Sequence, residues 1–210
     1  APFIHKNNEP KYHAMLLRAQ EQAKTLRKHV LWFAAVDTPE NPSQIVKTPA
    51  KLKQRLRRFL QFHDQKTAGV PGLNLLYEGM QARVTEKLVK NKNIVILKHS
   101  SCTVIGWELN PLDGETSPGA ERFLTYMPRV IYLKFAGATW TVHKRLGPGV
   151  WPLFPVRRTW ELNEAQGSKI KRVGFPLLPD YASTAFMIQG ATLRAAIADC
   201  GDISDAAGLQ

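Results

Sequence analysis

Apolar and polar residues in the first part of the chain follow two different spacings. Between about Pro10 and Lys28 the apolar positions recur at helical spacing, and this predicts an amphipathic helix. The next segment, Val30 to Val36, is a continuous apolar run closed by Asp37-Thr38-Pro39, which is typical of a strand buried on both faces. Because a short apolar stretch, Ala1 to His5, precedes the helix, the order strand, helix, strand indicates an α/β unit.

The proline-rich segment from Thr38 to Pro49 predicts a loop. A second helix is predicted to begin at Thr48-Pro49 and to end near Gln61, since proline is favoured in a first helical turn. The apolar residues of this helix lie on one side, and its basic residues lie elsewhere. The apolar residues are Leu52, Leu56, Phe59 and Leu60.

Beyond Gly69 the pattern changes to short runs rich in Val, Ile and Thr, which predict strands. Their close spacing favours a small barrel or an SH3-like module, and a turn at Gly137 predicts a hairpin between two of them. Near the end, Tyr181 to Gly190 is predicted as a strand or a helix edge, and a strand leading to a loop follows. The strand candidates in the middle of the chain are 82–88, 93–98, 102–109, 129–135, 138–144 and 156–162.

The chain is strongly basic, with 29 Lys and Arg against 17 Asp and Glu and a formal net charge of +12. A polyanionic partner is expected, since each cation that neutralises a phosphate releases counterions. The charge is concentrated between Lys47 and Lys66, which includes the second predicted helix and a single acid, Asp64. The basic side of that helix either lines a strand-binding channel or is simply a solvated face.

Other chemistry is sparse in the sequence. Cys102 and Cys200 lie far apart without a CxxC motif, which argues against a zinc site and a disulfide framework and favours a reducing compartment. No apolar window is long enough for a membrane span, and Ala1 to Pro10 lacks the apolar core of a secretory signal, so an intracellular location is expected. The five tryptophans are either core residues or base-stacking platforms. No pair of catalytic side chains is apparent.

Four segments in a particular order carry a more specific pattern. They are Phe3 to Asn8 (FIHKNN), Leu76 to Val84 (LYEGMQARV), the β-rich stretch to about Val173, and Phe175-Pro176-Leu177 followed by Tyr181 to Leu193 (YASTAFMIQGATL).

This order resembles the C-terminal half of the Pif-type (petite integration frequency) 5′→3′ DNA helicases of superfamily one, which include helicases of Helitron-like transposons. The resemblance implies an α/β fold: part of a RecA-like second motor domain with an inserted small SH3-like β-barrel module. The implied boundaries are 1–80 and 174–210 for the motor domain and 81–173 for the insertion.

The same resemblance implies roles for individual residues. Gln189 and Gly190 would couple to the nucleotide, and Ser183 or Thr184 would donate a hydroxyl hydrogen bond to a strand phosphate. The parent protein would use ATP and Mg²⁺, bind single-stranded or forked DNA, contain an N-terminal motor domain missing here, and work in DNA repair or recombination in the nucleus or an organelle. The implied nucleic-acid-binding residues are Asn7, Asn8, Ser183, Thr184, Thr192, Arg55, Arg57 and Arg58.

The chain departs from the family pattern in several places. Phe186-Met187-Ile188 stands where His-Lys-Ser is usual, Gln81 where proline is usual, and Lys98-His99-Ser100-Ser101 where a glycine-bearing turn is expected. There is no GxxxxGK[ST] loop, and the chain ends before the arginine-bearing motif.

We therefore expect a helicase fragment that contributes strand binding and part of the ATP-coupling surface but does not hydrolyse ATP alone, with no complete catalytic set and no metal site. The alternatives are a degenerate, non-catalytic nucleic-acid-binding module and, from another class, a protein-interaction β module.

Overall fold

The protein is mixed α/β, with three α-helices and five small sheets among the residues described by the computed structural model. Helix α1 is Asn8–Thr25, α2 is Pro42–Ile45 and α3 is Pro49–Phe59. The two helices predicted from the apolar spacing, α1 and α3, are confirmed. The described residues are 3–5, 8–45, 49–90, 93–113, 121–162, 168–184 and 197–198.

The strands are short, as the sequence predicts. In chain order the first eight are β1 (Phe3–His5), β2 (Leu31–Ala34), β3 (Val36–Pro39), β4 (Leu73–Leu76), β5 (Gln81–Val84), β6 (Leu88–Lys90), β7 (Ile94–Ile96) and β8 (Ser101–Glu108). The next eight are β9 (Arg122–Phe123), β10 (Val130–Lys134), β11 (Val150–Leu153), β12 (Val156–Glu161), β13 (Lys169–Gly174), β14 (Leu177–Pro179), β15 (Ala182–Thr184) and β16 (Ile197–Ala198).

A three-stranded parallel sheet joins the beginning of the chain to its end. Strand β1 lies between β15 and β16 and is parallel to both, with Ile4 opposite Ser183. Helix α1 follows β1 directly and buries Tyr12, Met15 and Ala19 in the main core. Since parallel strands run in the same direction, the carboxyl ends of β1 and β15 and the start of α1 lie at one edge of this sheet.

The largest sheet is antiparallel and has the order β11-β10-β8-β5-β14. Its inner face packs into the same core as α1, β2 and β4 through side chains such as Val84, Val104 and Leu133, all fully buried. A second antiparallel sheet, β12-β13-β3, has α3 packed on one face through Phe59, Trp160 and Ile170. Strands β2, β4 and β9 form a third sheet, and β6 pairs with β7.

Some sequence predictions are wrong. The apolar run Val30 to Val36, predicted as one strand, is divided between β2 and β3. Within the stretch predicted as a loop, Thr38 to Pro49, the end of β3 and helix α2 occur. Strand β3 forms because its backbone pairs with β13 in an antiparallel ladder, with Val36 opposite Val173.

The hairpin predicted around Gly137 is also wrong. Residues 138–144 form no strand, and β10 pairs instead with β11 and β8. Trp140 folds back in the loop, with its ring centroid 5.9 Å from that of Phe135 and 6.3 Å from that of Trp151. The loop is closed where the Gly149 amide donates to the Trp140 carbonyl at 2.7 Å. Packing of this partly buried aromatic ring against two others outweighs the strand preference of the segment.

Hydrogen-bonded ladders cross the domain boundaries expected from the sequence. Strand β3, before residue 80, pairs with β13 inside the 81–173 segment, and β5 of that segment pairs with β14 after residue 174. The division into 1–80 with 174–210 and 81–173 therefore remains a prediction, and any boundary there cuts through shared sheets.

Candidate nucleic-acid interface

Helix α3 presents five exposed cations on its solvent side. Lys51, Arg55 and Arg58 follow one flank at spacings of four and three residues, and Lys53 and Arg57 follow the other flank. At a rise of about 1.5 Å per residue, the first row extends along about 10 Å of the helix. These two rows contain Arg55, Arg57 and Arg58, the basic residues predicted from the sequence to bind nucleic acid.

In the part of the chain that the structure describes, the α3 cations lack nearby acids to compensate them. Within the described part of the chain, none of the five side chains lies within 4.0 Å of a carboxylate oxygen. Like charges four residues apart, such as Lys51 and Arg55, destabilise a helix by about 0.2–0.5 kcal/mol per pair. Arg57 and Arg58 lie in the last turn, where the helix dipole favours cations. The like-charge pairs therefore lower the stability of the helix when nothing is bound. A bound polyanion would offset this cost.

The opposite side of α3 is fixed by an aromatic cluster. The Phe59 ring meets the Trp160 ring edge to face at 5.5 Å, and the Phe62 ring lies 5.8 Å from the same indole. Leu52 and Leu56 pack against this cluster. The apolar spacing of the sequence therefore places the basic rows outward, because the apolar row is held on β12 and β13.

Arg172 ties the end of α3 to the sheet below it. Its side chain is fully buried, and Nε donates to Asp37 Oδ1 at 2.7 Å while Nη2 donates to Asp37 Oδ2 at 2.6 Å. The guanidinium also donates to the carbonyls of Phe59, at 2.8 Å, and Val70, at 3.2 Å, and lies 5.4 Å from the centre of the Trp160 ring. The Phe59 carbonyl, at the end of α3, accepts from the Phe62 backbone amide at 3.2 Å as well, so Arg172 adds a second donor there.

A close backbone contact completes this anchor. A Cβ atom at Gly72 would lie 2.4 Å from the Leu60 Cα and from the Leu60 carbonyl oxygen. Only glycine allows the chain leaving α3 to pass this near to the segment that enters β4. The basic surface consequently stands on a rigid support of buried charge, aromatic rings and backbone contact.

The carboxyl edge of the parallel sheet is the second candidate surface. It gathers the end of β15, where Ser183 and Thr184 lie, and the start of α1 at Asn8. For Asn8 and Thr184 the structure describes the backbone position alone. The other residues that the sequence assigns to this region, Asn7, Gln189, Gly190 and Thr192, lie outside the described residues.

Ser183 is buried beneath Arg83. The Arg83 Nη1 group donates to Ser183 Oγ at 3.1 Å, and Nη2 forms an ion pair with Asp180 and also reaches the Ala182 carbonyl at 3.4 Å. Ser101 Oγ donates to the second Asp180 oxygen at 2.8 Å. Ser183 is 2% exposed, so the Arg83–Asp180 pair, whose side chains are 12% and 20% exposed, lies closer to solvent than the serine hydroxyl.

Sequence reasoning missed Arg83 and its neighbour Lys11. Lys11, in the first turn of α1, is 2% exposed, and burial lowers its pKa, with Asp64 opposing this effect and Arg83 adding to it. Side chains alternate between the two faces of a strand, and Ala82 and Val84 in the strand Gln81–Val84 are apolar and buried. This alternation is the sequence signal that places Arg83 on the other face.

The two motif segments singled out in the sequence are in direct contact. The hydroxyls of Tyr77, from LYEGM, and Tyr181, before QGATL, share a hydrogen bond, and the Gln81 amide donates to the Tyr181 hydroxyl at 3.3 Å. Burial and this contact raise the pKa of Tyr77. Gly79, at φ 88°, turns the chain so that both tyrosines meet. The first motif thus supports the backbone that leads into the second.

Metal and nucleophile chemistry finds little support in the described structure. Among the described residues no three His, Cys, Asp or Glu side chains are grouped to hold a metal ion. Burial raises the pKa of the Cys102 thiol to about 12, so the thiolate is scarce at neutral pH. In the same described segments, no helix combines the length and the apolar character that a bilayer crossing requires.

Comparison with known proteins finds similarity at the level of structure. No protein-family model and no curated protein matches the sequence. The crystal structure of the Pif1 helicase from Candida albicans matches all of this chain with a TM-score of 0.55 and 16% identity, covering 41% of that helicase chain. The structure of Bacteroides Pif1 bound to ssDNA matches 96% of this chain with a TM-score of 0.50 and 12% identity, covering 34% of that chain.

The chain thus spans less than half the length of each of these helicases. The similarity extends over both candidate surfaces, since it covers nearly the whole sequence. At sequence identities of 16% and 12%, the similarity shows a shared fold and nothing further. The protein has the fold of the matched part of the Pif1 helicases.

Proposed function

We propose that this chain is the strand-binding, C-terminal part of an ATP-dependent 5′→3′ DNA helicase and that it does not hydrolyse ATP alone. The observation that carries the proposal is the double row of cations on α3, which have no carboxylate partner among the described residues and face outward because the apolar side of α3 packs on Trp160 and Ile170. Such a rigid cationic surface suits a nucleic-acid backbone, because phosphate contacts provide affinity without reading sequence.

The fold similarity favours this function over that of a general basic domain. The matched Bacteroides Pif1 structure is that of the helicase bound to ssDNA, and the match covers 96% of the present chain. We assign residues 1–80 and 174–210 to a RecA-like second motor domain and residues 81–173 to an SH3-like insertion. The parallel sheet β15-β1-β16 with α1 supports the first assignment, since parallel strands joined through helices build such domains.

The site roles follow from the same proposal. Gln189 and Gly190 couple strand binding to the nucleotide, and Asn7, Asn8, Thr184 and Thr192 contact the strand along with the α3 arginines. Ser183, which is buried, holds the Arg83 side chain instead. The parent protein uses ATP and Mg²⁺, is completed by an N-terminal motor domain, and binds single-stranded or forked DNA. A nuclear or organellar role in repair or recombination belongs to the same proposal.

The test compares charge removal on α3 with charge removal elsewhere. A triple variant, Arg55→Gln, Arg57→Gln and Arg58→Gln, is titrated with a fluorescently labelled single strand and should bind at least about tenfold more weakly than the unchanged chain. The control variant, Lys24→Gln, Lys169→Gln and Lys171→Gln, loses the same number of exposed cations outside α3. Equal losses in both variants would mean that net charge, and not α3, determines binding. ATP hydrolysis measured with the strand present should be absent.

A degenerate, non-catalytic binding module is the second candidate. The apolar segment Phe186-Met187-Ile188 favours it, because these side chains replace the polar and cationic residues that would contact phosphate. The genomic reading frame distinguishes the two functions. A GxxxxGK[ST] loop upstream and an arginine motif downstream support the motor, and a frame that contains neither supports the module.

A further inference from the structure

The turn between β7 and β8 is one of the points where the sequence departs from the family pattern. Residues Leu97 to Ser101 form it, and His99 has a φ of 68°, in the left-handed region. The His99 amide donates to the Val84 carbonyl at 2.8 Å, and the Val84 amide donates to the Ser100 carbonyl at 3.2 Å. The turn is thereby fixed beside β5, next to Arg83.

Strand pairing brings the base of the turn to the same polar network. Arg83 lies opposite Ser101 in the β5–β8 ladder, and the Ser101 hydroxyl donates to the Asp180 carboxylate that Arg83 also binds. Arg83 in turn donates to Ser183 at the carboxyl edge of the parallel sheet. The Arg83 guanidinium and its partner Asp180 therefore connect the turn to the candidate strand-binding edge.

Positive charge predominates around His99. Partial burial, together with the charges of Lys98, Arg83 and Lys11, lowers the pKa of the imidazole, and Asp64 is the acid that opposes them. Asp180, the other acid of this region, is occupied by Arg83 and Ser101. Lys98 and His99 are both exposed. An exposed anion placed here would meet the Lys98 ammonium and an imidazole that gains a proton readily once negative charge arrives.

We propose that Lys98 and His99, beside the Arg83–Asp180 pair, form a subsite for one backbone phosphate of the bound strand, and that binding of this phosphate is accompanied by protonation of His99. This inference rests on the proposed strand-binding function and adds to it a second contact, separate from α3. The protonated imidazole and the Lys98 ammonium would both donate to phosphate oxygens, as charge-assisted hydrogen bonds do.

The sign of the pH effect follows from linkage. In the free protein partial burial, together with the neighbouring cations, holds the pKa of His99 below its ordinary value of 6.5, and a phosphate raises it. The bound state consequently takes up a proton that the free state does not hold. Binding is tightest below the pKa of the free protein, and the gain is lost as pH rises through the pKa of the complex.

The experiment measures the binding of a thymidine oligonucleotide of about 10 residues to the full chain at about pH 5.5 and about pH 7.5. Thymine and the phosphodiester do not titrate in this range, so changes in affinity report on the protein. The test variant is His99→Asn, because asparagine accepts the left-handed backbone of this position. The matched control is His143→Asn, which removes another exposed histidine from a turn far along the chain. Lys98→Gln tests the neighbouring ammonium.

The expected result is tighter binding at low pH, by about tenfold for each unit by which phosphate raises the pKa of His99. His143→Asn should retain this gain. His99→Asn should lose it and bind normally at high pH. Lys98→Gln should weaken binding at both pH values. An equal pH dependence in the unchanged chain and in His99→Asn would overturn the subsite and leave the strand-binding function standing. Failure of the unchanged chain to bind at either pH would overturn both.

A second measurement does not depend on any variant remaining folded. Nuclear magnetic resonance titration of the histidine side chains in the unchanged chain, with and without the oligonucleotide, reports the pKa of each imidazole. The pKa of His99 should rise on addition of the strand, and that of His143 should stay in place. A His99 pKa that does not move when the strand is bound would contradict the proposal.

Discussion

Arg172 and Asp37 form a bidentate ion pair in which both side chains are shielded from water, with N–O distances of 2.7 and 2.6 Å. Removal of one partner leaves an uncompensated buried charge, which costs about 3–5 kcal/mol. Asp37→Ala should therefore lower the free energy of unfolding by about that amount in urea denaturation. The double variant Asp37→Leu with Arg172→Met should recover most of the loss, and a double variant as unstable as the single one would contradict the account.

The hydroxyl of Tyr12 holds the edge of β4 to α1. It donates to the Leu73 carbonyl at 2.7 Å and accepts from the Leu73 amide at 3.1 Å, and burial raises the pKa of Tyr12 to about 12. Tyr12→Phe leaves two backbone groups unsatisfied and should lower the free energy of unfolding by about 1–3 kcal/mol. Tyr126→Phe, at a ring that is 44% exposed, serves as the control and should change stability by less than about 0.5 kcal/mol.

Two glycines should respond differently to alanine. At Gly72 a Cβ atom meets the Leu60 backbone at 2.4 Å, so the chain leaving α3 must shift. At Gly79 nothing lies within 4 Å, and the cost arises from φ 88° alone, about 1–2 kcal/mol. We expect Gly72→Ala to lower the melting temperature more than Gly79→Ala and to weaken strand binding as well, since it disturbs the support of α3. A larger effect at Gly79 would contradict the close contact.

The Cys102 thiol should be unreactive in the folded protein. Burial raises its pKa to about 12, and the nearby Asp180 charge acts in the same direction. At about pH 8 its alkylation should be slow in buffer and fast in urea, because unfolding returns the pKa to its ordinary value. Peptide mass spectrometry distinguishes Cys102 from Cys200, and rapid modification of Cys102 without denaturant would contradict its burial.

The pattern of apolar residues predicts an element correctly where those residues recur with one helical or strand spacing throughout. The apolar row Leu52, Leu56 and Phe59 indicated α3 and placed its cations outward. The run from Val30 to Val36 indicated one strand, but the structure divides it. Strand β2 ends at Ala34, the Ala35 amide donates to the Gly72 carbonyl at 2.7 Å, and β3 begins at Val36 in another sheet. A continuous apolar run contains no signal for such a change of partner.

The polar network at the parallel sheet was beyond the reach of local reasoning. Arg83 lies 97 residues from Asp180 and 100 residues from Ser183 in the chain, so only the fold reveals their contact. The motif resemblance had indicated Ser183 without its covering arginine. The β preference of its neighbours predicts a strand at Trp140, but in the fold its partly buried ring packs against Phe135 in a loop.

The salt dependence of single-strand binding tests the central claim most directly. The logarithm of the affinity, plotted against the logarithm of salt concentration between about 50 and 200 mM, should fall linearly with a slope of about −0.7 per phosphate neutralised. The Arg55→Gln, Arg57→Gln and Arg58→Gln variant should make this slope shallower by about two, as three of the α3 cations are removed. An unchanged slope in that variant, or binding by the unchanged chain that does not depend on salt, would contradict the account.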